Sequence, residues 1–475
     1  MMKKCLSFLL VSLLLSICCS GAFAVFAADP AFVPVMRLVV ASDTHVKTSS
    51  AENARRIGAM MDMAYDLADG DSAYSGIDAL LVCGDLTDNG TAAQFDLFQS
   101  TVDSALRNGT RFLGVVARGH DGFTMPFADM RNYYASVSGN TPEFHTVING
   151  YHFIGVSGSS SPDGPYAYND PSQVQWLREQ LALAVAEDAQ KPVFVMHHEH
   201  VYDTVYGSSE EGWGLRSFSD VLAQYPQVVD FSGHSHYPLN DPRSLWQGAF
   251  TAIGTGAIYY AEFWIDGKTV HPEGYGQVAT CWIVEADAQH RIRLRGMDVL
   301  ARQCLCEYIL DNPADPANRS YTPEKRAAAS EAPVFAPNAA VRLDADGRSA
   351  VLTVPAAQST DGMPVVLYRA AAVDEKGKQV ASAWTLPRYY TADTQETITL
   401  RLSDLPDGAY TVRVTAQNAY NKTSAPLETT FAVGSGTITD DAGGSAGGSG
   451  ISGFFQRIAQ WFRDLFRTIS GWFRR

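Results

Sequence analysis

The chain has 475 residues, too many for one ordinary core, so two domains with appended segments are expected. Its composition, 46% apolar and 18% charged, is that of a folded soluble protein. The formal charge of -15 argues against bulk nucleic-acid binding and leaves a small nucleotide open as a substrate.

Residues 1–28 read as an export signal. Lys3 and Lys4 form a basic start, Leu9 to Leu15 lie in an apolar run, and Ala22-Phe23-Ala24 or Phe26-Ala27-Ala28 offers the cleavage site. An uncleaved membrane anchor is the alternative, and the small residues after the apolar run count against it. Cys18 and Cys19 raise a lipoprotein signal, which the bulky Ile17 disfavours. The expected location is extracytoplasmic. Beyond the signal the chain keeps Cys83, Cys281, Cys304 and Cys306, which is no disulfide framework. Cys83 reads as a buried core thiol, and Cys281, Cys304 and Cys306 either pair or stay free.

From 32 to 310, short apolar runs alternate with amphipathic stretches. The pattern predicts strands at 35–41, 79–83, 112–117, 153–156, 193–196 and 228–231. It predicts helices at 51–69, 91–106 and 171–187. Such alternation implies an α/β domain with largely parallel pairing. Residues 311–337, rich in Pro, Ala and charge, read as a linker. From 338 to 434, short strand-like runs are separated by Asp346-Gly347, Asp361-Gly362 and Asp407-Gly408, which predicts a small all-β sandwich. Its run from Gly408 to Asn418 resembles the late strands of a fibronectin type III module. Residues 435–450 read as a flexible Gly/Ser linker.

The last segment, 451–475, predicts a basic amphipathic helix. Phe455, Ile458, Phe462, Leu465, Ile469 and Trp472 recur at helical spacing. Arg457, Arg463, Arg467, Arg474 and Arg475 face the single acid Asp464. Too charged to span, it suits a membrane or cell-envelope surface. Docking on a protein surface is the alternative, and the long linker counts against self-docking.

The chemistry lies at the ends of the α/β strands. There the chain reads Asp43-Thr44-His45, then Gly84-Asp85-Leu86-Thr87-Asp88, then Arg118-Gly119-His120-Asp121. His197-His198-Glu199-His200 and Gly233-His234-Ser235-His236 follow. Each piece alone is weak, but open α/β sheets gather ligands at the carboxyl ends of their strands, so five such clusters converge. His145, His152, His271 and His290 stand outside the pattern and read as structural. Imidazole and carboxylate suit first-row metals. Two metals about 3.5–4 Å apart can clamp a phosphoryl group and activate water as hydroxide.

In this order the motifs resemble the signature of calcineurin-like metallophosphoesterases, over about residues 35–240. The resemblance implies a four-layer αββα sandwich and hydrolysis of phosphomonoesters or phosphodiesters. It implies one or two divalent or trivalent metal ions (Mn, Fe or Zn). Asp43, His45 and His236 would hold the first metal, Asp85 would bridge, and His197 and His234 would hold the second. His120 would sit at the leaving group. The family carries an asparagine ligand where this chain has Gly119, and a glycine where it has Arg118. The gap puts the second metal in doubt. Arg118 either points to solvent or holds a substrate phosphate. Glu199 stands where the family often has proline, and Glu199 or His200 offers a substitute ligand. Gly119 also motivates a reading of another class: a catalytically degenerate surface module whose β-sandwich binds a partner.

Overall fold

The computed structural model describes residues 32–159, 171–209, 214–346, 348–434 and 437–440. The export signal at 1–28 and the amphipathic segment at 451–475 lie outside them.

The first domain opens on β1 (Pro34–Ala41), α1 (Glu52–Asp69), β2 (Ala79–Cys83), α2 (Ala92–Ala105), β3 (Arg111–Val115) and α3 (Phe127–Ser138). The hairpin β4 (Glu143–Ile148) and β5 (Tyr151–Val156) follows, then α4 (Pro171–Glu187) and β6 (Val193–Met196). After the short α5 (Ser219–Leu222) come β7 (Val228–Ser232), β8 (Leu245–Gln247) and β9 (Thr251–Gly254). A small hairpin, β10 (Phe263–Ile265) and β11 (Lys268–Val270), precedes β12 (Thr280–Asp287), β13 (Ile292–Asp298) and β14 (Gln303–Leu310).

These strands build two six-stranded sheets, ordered β14-β13-β12-β1-β2-β3 and β4-β5-β6-β7-β9-β8. Both are mixed. β1, β2 and β3 pair in parallel at one side of the first sheet, as do β5, β6, β7 and β9 in the middle of the second, whereas the other pairs are antiparallel. The expectation of largely parallel pairing holds for these two blocks of strands and not for the rest. The turns joining β12, β13 and β14 are too short for a crossover, which a parallel pair requires.

Alternation along each strand explains the continuous apolar runs. Leu38, Val40 and Leu81 of the first sheet share a cluster with Phe153, Phe194, Met196 and Phe231 of the second. On their other face, Val39, Leu80 and Val82 meet Ile57 and Met60 of α1, Phe95 and Phe98 of α2, and Tyr134 of α3. Likewise Ile154, Val193 and Val195 meet Leu177 and Leu181 of α4. Strands buried on both faces carry apolar residues at every position. Thr91 starts α2 with a reciprocal capping box to Gln94, a device contributing about 1 kcal/mol.

Residues 311–337 are a docked connection rather than a free tether. Within them α6 (Pro323–Ala329) is capped by Thr322 and places Arg326, 6% exposed, against the carbonyls of Pro242 and Leu245. The chain then forms β15 (Arg342–Asp346), β16 (Ser349–Pro355), β17 (Val365–Asp374), β18 (Gln379–Thr385), β19 (Thr397–Leu402), β20 (Gly408–Asn418), β21 (Leu427–Gly434) and β22 (Thr437–Asp440). Sheets β15-β16-β19 and β18-β17-β20-β21-β22 share one core, including Leu352, Leu400, Tyr368, Val412 and Phe431. β22 falls inside the stretch read as a Gly/Ser linker; its register on β21, from Phe431↔Asp440 to Gly434↔Thr437, extends the sheet by one strand. The rest of that stretch lies outside the described residues.

This β-rich region packs on the first domain. Tyr390 joins Ala261, Phe263 and Val278 in a small core, and the Tyr389 hydroxyl donates to Asp241 at 3.0 Å. Cys83, Cys281, Cys304 and Cys306 are all free thiols, and Cys83 is buried as expected.

Candidate metal centre

The polar clusters follow the carboxyl ends of β1, β2, β3, β6 and β7, and the backbone ties them together. The amides of Asp43 and His45 donate to the carbonyls of Gly84 and Asp85, at 3.1 and 3.0 Å. The His234 amide donates to Asp43 Oδ2 at 3.1 Å. From α1, Asn53 donates to the carbonyls of Thr44 and His45 at 3.0 and 2.7 Å. The fully buried Asp121 accepts from Leu86, Thr87 and Ala117, and so locks the β2 loop to the β3 loop. Burial, and then the Asp85 charge, push the Asp121 carboxyl up to about 6.

Asp43, His45, Asp85, His234 and His236 all have positive φ, from 43° to 72°. Such conformations cost side-chain-bearing residues on the order of 1–3 kcal/mol each and persist where the surroundings enforce them. Two glycines permit the close approach. A Cβ on Gly84, itself at φ 85°, would lie 2.6 Å from the His198 ring, and one on Gly233 would lie 2.5 Å from Asp43 Oδ2.

Side chains converge on one point. His236 Nε2 lies 3.2 Å from both His45 Nε2 and Asp43 Oδ1. His198 Nε2 lies 3.3 Å from Asp85 Oδ2 and 4.0 Å from Asp43 Oδ1. Asp85 Oδ2 is 4.0 Å from His45 Nε2. Asp43, His45 and His236 form one triplet with metal-ligating reach, and Asp43, Asp85 and His198 form a second. The His234 ring stands 5.1 Å from that of His198. His120 stands at the edge, its ring 4.4 Å from His45, within reach of Asp88. Arg118 is half-buried on the same loop as His120.

The tautomers fit cation binding. His198 Nδ1 faces the Cys83 carbonyl at 2.8 Å, and His236 Nδ1 faces the Tyr259 carbonyl at 3.0 Å. A carbonyl only accepts, so each Nδ1 carries a proton and Nε2 is the atom left for a cation. That is the usual outer support of a metal-bound histidine. Two Nε2 atoms facing each other at 3.2 Å, beside two buried carboxylates, are donors for a cation of one or two centres. Burial works to lower His198 and His236, yet the Asp85 and Asp43 carboxylates raise both, so a cation there would take the place of protons. Burial works to raise Asp43 and Asp85, yet the surrounding imidazoles hold both well below the ordinary carboxylate range. Burial drives His45 down to about 3 and His234 to about 4.

One expected ligand is displaced. His197 does not reach the centre; its Nε2 pairs with the buried Asp230 at 2.9 Å, and its ring packs edge-on against Phe218. His198 stands in the centre instead. The cause is the two-residue period of β6. Val193 and Val195 face α4, and His197 continues that side. Phe194 and Met196 face the opposite sheet, and His198 continues theirs. Nor does His200 offer a spare ligand atom, since its two nitrogens meet Ser232 and Ser235 hydroxyls, each at 2.8 Å. His271, read as structural, lies on the rim, its ring 5.6 Å from Tyr260, which stacks on His236 at 3.9 Å. The roles of Asp121 and Tyr260 had no local signal in the sequence.

Gly119 is a real gap. A Cβ there would lie 3.6 Å from Asp85 Oδ1, an ordinary contact, so the backbone has room for a side chain aimed at the centre.

Residues 36–238 match the model of the family described as calcineurin-like phosphoesterase. No curated protein matches the chain. Among solved structures it is similar to a purple acid phosphatase isolated from yellow lupin (Lupinus luteus) seeds. That match has 14% identity and a TM-score of 0.41, over 58% of this chain and 53% of that one. It is also similar to a Parabacteroides merdae β-glucuronidase, with 9% identity and a TM-score of 0.24, over 84% of this chain and 62% of that one. The chain thus spans about half the length of the lupin enzyme, and likeness at this level bears on neither substrate nor mechanism.

Proposed function

We propose that this chain, which carries a calcineurin-like phosphoesterase domain at residues 36–238, is an exported, metal-dependent hydrolase of phosphomonoesters or phosphodiesters. The observation that carries the reading is the convergence of Asp43, His45, Asp85, His198 and His236, with the imidazoles of His198 and His236 anchored through Nδ1 to backbone carbonyls. Asp43, His45 and His236 would hold one cation. Asp43, Asp85 and His198 form the group that would hold a second, with His234 beside them. Manganese, iron and zinc all suit this donor set. When bound, the cations polarise a phosphoryl oxygen and lower the pKa of coordinated water.

The residues around the centre do the rest. Asp85 accepts the His120 amide at 3.2 Å and so fixes the β3 loop against the metal site. His120 Nδ1 faces the Asp88 carbonyl at 2.8 Å, so Nδ1 carries a proton and Nε2 is the nitrogen left to meet a substrate. Protonated there, His120 donates to the departing oxygen. Arg118, on the same loop, meets the phosphate oxygens through its planar guanidinium. The interleaved cores of helices and two sheets support the four-layer αββα layering. The three-on-five strand arrangement supports a fibronectin type III-like reading of residues 338–434.

Assay of bis(p-nitrophenyl) phosphate and p-nitrophenyl phosphate, with manganese, iron, zinc or nickel restored after chelation, tests this reading. The ratio of the two rates assigns diesterase or monoesterase, and no turnover by folded protein with any metal sinks the enzyme. That outcome favours the second reading, a metal-binding surface module disabled at Gly119. The two readings also part at that residue. Gly119→Asn is expected to tighten binding of the second metal by about 10-fold or more, the scale on which a single supporting residue acts. Metal titration followed by calorimetry reads this directly, and unchanged affinity would show that the gap is not at Gly119.

Surface retention rests on the sequences at 1–28 and 451–475. Cell fractionation should find the protein outside the cytoplasm, and deletion of 451–475 should release it from the envelope and from anionic vesicles. Cytoplasmic protein would contradict export, and undiminished vesicle binding would remove the membrane role of the tail.

A further inference from the structure

A row of aromatic rings crosses the metal centre. Phe123 lies 4.7 Å from His120, His120 lies 4.4 Å from His45, and His45 lies 5.0 Å from His236. His236 stacks on Tyr260 at 3.9 Å, and Tyr260 lies 5.9 Å from Tyr275. Of the inner members, His45 and His236 are candidate ligands, and His120 and Tyr260 border them. The outer two are open: Phe123 is 62% exposed and Tyr275 41%. Among the described residues the only other strongly exposed large aromatic is Trp384, on β18 of the second domain. Isolated exposed apolar residues are ordinary on a protein surface. Two of three such aromatics closing the ends of one catalytic row are not scattered in that sense.

The geometry points to Phe123 as the recognition surface for a planar ring carried by the phosphoester substrate. This rests on the phosphoesterase reading above and adds a substrate class to it. Phe123 follows His120 by three residues, at the end of the short turn His120–Gly122, and lays its ring against the imidazole. A ring a few bonds from a phosphate at the metal centre can therefore meet the exposed Phe123 side chain. An aliphatic group in the same place has no flat surface to offer. Stacking of this kind is indifferent to the ring's polar substituents, so aryl-alkyl esters and nucleotides fall in one class.

The test uses matched esters with leaving groups of similar reactivity. These are 2-phenylethyl phosphate against butyl phosphate, and methyl 2-phenylethyl phosphate against methyl butyl phosphate. Released alcohol is measured by chromatography for full-length protein, Phe123→Ala and Phe123→Tyr. The expected result is a kcat/KM preference of about tenfold for the phenylethyl member of whichever pair is turned over. That sits at the lower end of what base–aromatic stacking contributes. The preference should fall towards one in Phe123→Ala, mainly through KM, and persist in Phe123→Tyr. A wild-type preference near one, or a preference that survives Phe123→Ala, overturns the inference and leaves the phosphoesterase reading standing. Failure on all four esters by protein that turns over a p-nitrophenyl ester overturns the inference alone, and failure on the p-nitrophenyl esters as well, with any metal, overturns both.

Discussion

Asp85→Ala is expected to lower kcat/KM by about a thousandfold or more and to strip metal from the centre. Each 1.4 kcal/mol is a factor of ten, and a catalytic cation supplies several kcal/mol of transition-state stabilisation. The Asp85 carboxylate belongs to one triplet, 3.3 Å from His198, lies 4.0 Å from His45 of the other, and also accepts the His120 amide. Its loss therefore removes a ligand, the counter-charge of His198 and the brace of the β3 loop together. The paired histidines give the sharper comparison. His198→Ala should lose metal as Asp85→Ala does. His197→Ala should keep it and instead lower the melting temperature, because it leaves Asp230 buried without its partner. Leaving a buried polar group without its partner costs about 1–3 kcal/mol. In a domain of this size that is on the order of 5 °C. Metal per chain by plasma emission, with thermal melts of all three variants, separates the cases. Metal loss from His197→Ala with metal retained in His198→Ala would reverse the assignment.

His120→Ala should cost about 10²–10⁴-fold in kcat while bound metal stays at its wild-type level. His120 is the imidazole at the edge of the centre, held by a carbonyl on Nδ1 and by ring contacts with His45 and Phe123. If it acts by giving a proton to the departing oxygen, the loss should be greater for an alkyl ester than for a p-nitrophenyl ester, whose leaving group departs as a stable anion. Single-turnover rates on both esters, with metal analysis of the same samples, check this. His120 also lies in a third grouping with His45 and Asp88. Metal depletion in His120→Ala as deep as in Asp85→Ala would make it a ligand instead.

The central strands, α1, α2 and α4, and the strand-end clusters were legible because periodicity and burial agree along them. Helix α1 begins one residue after its predicted start, and the Thr91 capping box marks α2. The choice between His197 and His198 was not legible. In Val193-Phe194-Val195-Met196 both faces are apolar and both are buried, so no contrast tells which face looks toward the other sheet. Asp121 sat in a recognised cluster, but its part as the tie between two loops depends on amides 34 and 35 positions away. Helix α3 buries only Met130 and Tyr134, too little for a pattern. Residues 311–337 looked like a tether by composition. What docks them is Arg326, a charged side chain that binds carbonyls of a distant turn. The contact of Tyr389 and Tyr390 with the first domain was hidden in the same way, since long-range partners leave no local mark.

The most direct test of the account is metal removal and return, followed as turnover per metal bound. Protein chelated to less than one-tenth of its metal should lose activity on both p-nitrophenyl esters in proportion. One or two equivalents of manganese, iron or zinc should restore it in the wild type and fail to do so in His198→Ala. Full turnover by the metal-free protein, or full restoration in His198→Ala, would contradict the claim that Asp43, His45, Asp85, His198 and His236 form a catalytic metal centre.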